Sequence, residues 1–196
     1  MRRLIFSLLT LVIALSVQAF DPKDLIGGLI NKATSSTKFT VDDLKGTWLY
    51  DSPAVSFESD NVLKNIGGAG AAAAVETKLA PYYQKLGFTK TTLTVSEDHS
   101  FSLKLGLLIL KGTVEKDESG EGLVFSFNAI GNKTLGKVKA NASKSADTLN
   151  LTFDATRLIQ VLTTISSKLN IKSLNTLSTL LNSYEGIYIG FKMKSK

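Results

Sequence analysis

Short runs in which apolar and polar residues alternate recur along most of this chain, and that period of two constrains its fold more than any other feature. Leu93 and Val95 alternate with Thr92 and Thr94, and Phe101, Leu103 and Leu105 with Ser102 and Lys104. Leu107 to Val114 is a third run, and Leu123, Phe125 and Phe127 alternate with Val124, Ser126 and Asn128. Thr134 to Ala140 follows, then Leu149, Leu151 and Phe153, and at the end Ile187, Ile189, Phe191 and Met193 against Tyr188, Gly190, Lys192 and Lys194. Each alternation turns one face of a strand to a core and the other to water. The turns between them are short and polar: Glu97-Asp98-His99-Ser100, Glu115 to Gly120, and Gly131-Asn132. Strands joined in sequence order by such turns make an antiparallel meander. The opening strand is the stretch Leu44-Lys45-Gly46-Thr47-Trp48-Leu49-Tyr50, which holds the only tryptophan. With it the count is about eight, the number that closes a barrel around side chains or one small ligand.

The period changes twice. Between Asp60 and Leu86, Val62, Leu63, Ile66, Val75, Leu79, Tyr82 and Leu86 fall on a helical face that Asp60 can cap. Gly67-Gly68-Ala69-Gly70 and Ala71 to Ala74 make its middle slender enough for close packing, and Pro81 is expected to kink or break it. Later, Leu158, Leu162, Ile165 and Leu169 lie on one face, then Leu174, Leu177, Leu181 and Tyr184 on a second helix with Ser173 as its cap. The expected class is therefore mainly β with helical insertions (α+β). It is an antiparallel up-and-down barrel over residues 41–196, with a helix after the first strand and a helical pair before the last.

The start of the chain reads differently. Arg2 and Arg3, the apolar run Leu4 to Val17 and the small-residue site Val17-Gln18-Ala19 form a secretory signal peptide over 1–19, with cleavage expected after Ala19. The run is short for spanning a bilayer, and no later stretch is apolar for long enough. Residues 20–40 form a leader or short helix, in which Asp21 and Pro22 suit a first turn and Leu25, Ile26, Leu29 and Ile30 share a face. With no cysteine there is no disulfide framework, no thiol chemistry and no lipid-attachment site at the cleavage point. An exported chain of this kind suits a Gram-negative bacterium, in the periplasm or outside the cell. Asn132-Lys133-Thr134, Asn141-Ala142-Ser143 and Asn150-Leu151-Thr152 match the glycosylation pattern, but in a bacterial chain they read as strand residues. There are 23 basic and 17 acidic residues, a net charge of +6. Without Arg2 and Arg3 the balance is 21 to 17. The lysines are scattered and form no basic stripe interleaved with aromatics, so no nucleic-acid partner is expected.

Gly46-Thr47-Trp48, preceded by Leu44-Lys45, resembles the Gly-x-Trp of lipocalin-like proteins at their first strand. With Leu49-Tyr50, Pro53-Ala54-Val55 and Phe57-Glu58-Ser59, the chain is similar to an uncharacterised lipocalin-like family of exported proteins from Gram-negative gut bacteria. The likeness covers most of the chain after the signal peptide, including the Ala/Gly-rich helix. It implies a fold and carries no activity with it. Lipocalins typically pack an arginine from near the last strand on the tryptophan. Here the arginine that remains after cleavage is Arg157, ahead of the late helices, and the last strand offers Lys192 and Lys194.

Few residues suggest chemistry. Asp98-His99-Ser100 holds the residue types of a hydrolase triad, but neighbours in sequence cannot form that relay, and His99 reads as a turn residue. Gly68-Ala69-Gly70-Ala71-Ala72-Ala73 fits a loose dinucleotide pattern without the strand and helix of a parallel unit. Glu115, Asp117, Glu118 and Glu121 surround one turn without the ligand spacing of a calcium loop. No catalytic set, metal site or cofactor is expected, so the chain is expected not to be an enzyme. Gly46 and Trp48 are expected to anchor one end of the barrel. Phe101, Leu103, Phe125, Phe127, Phe153, Ile187 and Ile189 are the candidates for touching a ligand; most of them are expected simply to fill the barrel, with a modest pocket under the helices. The expected function is binding of a small hydrophobic or amphipathic molecule. The alternative is a non-enzymatic interaction module, a filled barrel whose helices from Thr156 to Tyr184 present an apolar face to a protein partner.

Overall fold

A computed structural model describes residues 39–58, 69–120, 122–165 and 171–196. The signal peptide, the leader up to residue 38, the Asp60 cap with Val62, Leu63, Ile66, Gly67 and Gly68, and also Glu121 and Leu169, lie outside the described residues. Eight antiparallel strands close into a barrel in sequence order, β1 to β8. They are β1 (Gly46–Phe57), β2 (Thr92–Val95), β3 (Ser100–Leu105), β4 (Leu108–Lys116), β5 (Leu123–Phe127), β6 (Gly136–Ser145), β7 (Thr148–Asp154) and β8 (Ile187–Ser195). β1 pairs with β8 from Trp48 to Phe57, with a bulge between Tyr50 and Ser52, and this pairing shuts the ring.

The alternation read from the sequence sets the register. Leu151 lies across from Phe191, Phe153 from Ile189 and Phe125 from Val138, so large apolar side chains share the inner face. The outward positions carry Lys104, Lys111, Lys137 and Lys139. Two strands differ from expectation. β4 runs on through Glu115 and Lys116, which pair with Val124 and Leu123 and so belong to the ladder, not to the turn. β6 begins at Gly136 and extends to Ser145. Its second half, Asn141 to Ser145, pairs with Thr152 to Thr148 although its side chains are small or polar. Backbone pairing with β7 decides it where no apolar pattern exists.

Among the described residues there are three α-helices: α1 (Ala69–Leu86), α2 (Ala155–Thr164) and α3 (Ile171–Leu181). α1 runs through Pro81 without ending there. Pro81 and Thr77, whose carbonyl loses its partner, both lie on the exposed side, where water can take the bond. The opposite face, Val75, Leu79, Tyr83 and Leu86, is buried and continuous. The buried aromatic is thus Tyr83, and Tyr82 is half-buried beside it. Gly70 lies in a roomy place, where an added Cβ meets nothing within 4 Å, so close packing is not what this glycine serves. Asp154 caps α2 by accepting the Arg157 backbone N–H at 2.7 Å. Ser173 sits inside α3 as a buried residue, not at its cap.

β1 stays beside β2 only from Gly46 to Leu49. Beyond that, α1 packs along β1, where Val55 N–H donates to Glu76 Oε1 at 3.1 Å. Glu76 Oε2 accepts from Lys192 Nζ at 2.6 Å, which ties α1 to β8 as well. One continuous hydrophobic core joins the barrel, α1, α2 and α3. No helix among the described residues is long and apolar enough to cross a membrane.

Candidate functional site

The side chains named from the sequence as ligand contacts fill the barrel. Phe125 lies at the centre of a ring chain, its centroid 4.9 Å from that of Phe101 and 5.0 Å from that of Phe153. Phe127 packs edge-on to Phe101 at 5.3 Å. Leu103 and Ile189 are buried in the same cluster. A second group of rings, Tyr50, Tyr83, Phe88 and Phe191, brings α1 onto the barrel wall. Tyr83 meets Phe88 edge-to-face, a favourable geometry for an aromatic pair, and meets Tyr50 and Phe191 at tilted angles. Ile187 differs: it is buried at the rim and lines a cleft outside the filled interior.

At the other end, Trp48 is 2% exposed and donates its indole N–H to the Leu44 carbonyl at 2.7 Å. That carbonyl belongs to a 3-10 turn, Val41–Leu44, which precedes β1. Gly46 takes a φ of +111°, a backbone conformation that a side chain would strain. The cation over the tryptophan ring is Lys144 of β6, its Nζ 5.3 Å from the centroid. The expectation looked to the last strand, but Lys192 pairs with Glu76 and Lys194 with Asp51.

The cleft has a volume of about 550 Å³, within the range that holds a small organic ligand. It lies where β1 and β7 end and β8 begins, against α2 and α3. Ala155, Ile159, Leu181 and Ile187 give it apolar surface. Thr156, Gln160, Ser178, Asn182 and Tyr184 add hydroxyls and amides, and Glu58, Asp154 and Glu185 add carboxyl groups. Glu58 is fixed by its N–H donating to the Gly186 carbonyl at 2.8 Å. A Cβ on Gly186 would come within 3.2 Å of Glu58, so the glycine lets the acid lie close. Burial, and after it the charges of Asp154, Glu58 and Asp117, push the nearby Tyr188 phenol above its ordinary range. A negative potential therefore gathers at this end. Among the described residues no lysine or arginine lines the cleft. Arg157 donates from Nη1 to Gln160 Oε1 at 2.9 Å, and with Gln160 and Lys137 it lines a smaller cavity of about 210 Å³.

The apolar residues on and just after α2 and on α3 that the alternative reading turns to a protein partner, Leu158, Leu162, Ile165, Leu174, Leu177 and Leu181, are all buried in the core. His99 Nε2 lies 2.8 Å from Asp42 Oδ1, while Asp98 accepts from the Ser100 hydroxyl and N–H, so this tripeptide does not converge on one point. Asp117 accepts from Gly122 N–H and the Ser119 hydroxyl, closing its turn. Among the described residues no group of three or more His, Cys, Asp or Glu is placed to hold a metal ion.

A family model described as Lipocalin-like domain (DUF4923) matches residues 19–195. Among solved structures, a DUF4847 family protein from Bacteroides vulgatus ATCC 8482 is similar over 78% of this chain and 94% of its own, at 10% identity and a TM-score of 0.35. No curated protein matches the chain.

Proposed function

The chain belongs to the lipocalin-like domain family DUF4923, and on that premise we propose that it is an exported, non-enzymatic protein that binds a small amphipathic molecule in the cleft between barrel rim and helices. The observation that carries this reading is the contrast between a barrel interior filled with rings and a cleft of about 550 Å³ beside it. Desolvation of an apolar moiety against Ile159, Leu181 and Ile187 supplies the driving force. The hydroxyls, amides and carboxyl groups around them orient the polar end, and with three acids and, among the described residues, no cation they favour a head that donates hydrogen bonds. Export rests on Arg2, Arg3, the apolar run after them and Val17-Gln18-Ala19.

Native mass spectrometry of the protein from its own host, followed by denaturing release, tests this. The expected result is a reproducible extra mass that Ile159→Arg removes by filling the cleft and that Phe125→Leu, inside the barrel, leaves in place. An unliganded protein, inert toward a panel of apolar and amphipathic probes, overturns the reading.

A further inference from the structure

The hairpin between β3 and β4 turns on Gly106-Leu107, and Leu107 is 91% exposed at its tip. A two-residue turn needs glycine or small polar residues, so a projecting leucine serves neither the turn nor the core. It does not stand alone. Ile109, the first outward residue of β4, is 51% exposed. Along the same outer surface Ile109 lies across from Lys104, Lys104 from Thr92, and Thr92 from Leu49, itself 40% exposed. Lys111 is the next outward residue of β4, and Lys90 lies two residues ahead of Thr92. Lys90, Lys104 and Lys111 are exposed and have no ion pair among the described residues. The segments 88–96 and 100–114, which build this surface, contain no aspartate or glutamate. The result is an apolar tip with a cationic collar. An added Cβ on Gly106 would come within 3.1 Å of the Gly87 carbonyl, so the tip is braced against the end of α1.

We propose that this hairpin docks the protein on an anionic lipid surface, with Leu107 and Ile109 entering the interface and Lys90, Lys104 and Lys111 meeting the headgroups. Two apolar side chains at a projecting tip fit a soft bilayer, which needs no complementary shape, better than a protein interface, whose core is a packed patch. The collar supplies the matching charge, and attraction of this kind is screened by salt.

Co-sedimentation of the full chain, as isolated from its host, tests the proposal on vesicles of phosphatidylcholine alone and mixed with phosphatidylglycerol. Binding should depend on phosphatidylglycerol and weaken with salt. It should fall about tenfold or more in Leu107→Ser/Ile109→Ser and in Lys104→Ser/Lys111→Ser. All four positions are exposed, so the unfolding midpoint should not move. Lys139→Ser/Lys172→Ser removes the same charge elsewhere and should bind as the parent does. Equal binding to neutral vesicles, an equal loss in that control, or no binding by the parent overturns the proposal, and the last outcome assigns the tip to a protein partner.

Discussion

Tyr83 donates its hydroxyl to the Gly190 carbonyl at 3.1 Å, enclosed by Phe88, Phe191 and Tyr50. Removing that hydroxyl in Tyr83→Phe should cost about 1 kcal/mol, read from urea unfolding. Burial pushes its phenol far above 10.0, the value expected when unfolded. The folded protein keeps the proton while the unfolded chain releases it. The contribution to stability is therefore complete below about pH 10 and falls away above it. Tyr83→Phe should show a shallower alkaline loss than the parent. Gly190 leaves still less room: an added Cβ would lie 2.0 Å from the Leu151 carbonyl oxygen and 2.8 Å from Thr152 Cα. Gly190→Ala should thus lower stability by about 3 kcal/mol, measured the same way. Nothing local in the sequence marks either residue. Tyr83 is separable from Tyr82 only through the four-residue steps Val75, Leu79, Tyr83, and Lys144 meets Trp48 only because β6 extends far past its apolar part.

Among elements, α2 is the one whose start shapes the cleft. Asp154 caps it and also lines the cleft proposed to hold a ligand, so Asp154→Ala should cost about 1 kcal/mol in thermal unfolding and, on that proposal, weaken ligand retention together. A loss of ligand without a change in melting would point to a direct contact in place of the cap. Strands with large alternating side chains, such as β3, β5 and β8, were legible because the inner face demands bulk. Glu115, Lys116, Lys144 and Ser145 were not, since their strand state is imposed by the partner across the ladder. α1 persists through Pro81 because its buried stripe lies on the opposite side, which a rule about proline alone does not capture.

For the whole molecule, a filled interior beside an open cleft predicts two distinct responses. Phe125→Ala should cost about 3–5 kcal/mol on denaturant unfolding, because Phe101 and Phe153 lose a shared partner. It should create an apolar void that takes up xenon or benzene, which the parent barrel should refuse. The barrel was legible from the period of its strands. The cleft was legible only as a pocket under the helices, since Glu58, Asp154, Ile159, Leu181 and Glu185 come from segments that only the topology brings together. β8 is hydrogen-bonded to both β1 and β7, and it is the last strand of the barrel to leave the ribosome. During synthesis, every earlier strand waits with its ring unclosed, so a chain shortened before Ile187 should remain open to protease. Such a delay leaves the barrel open until β8 is made, which suits the export proposed for this chain.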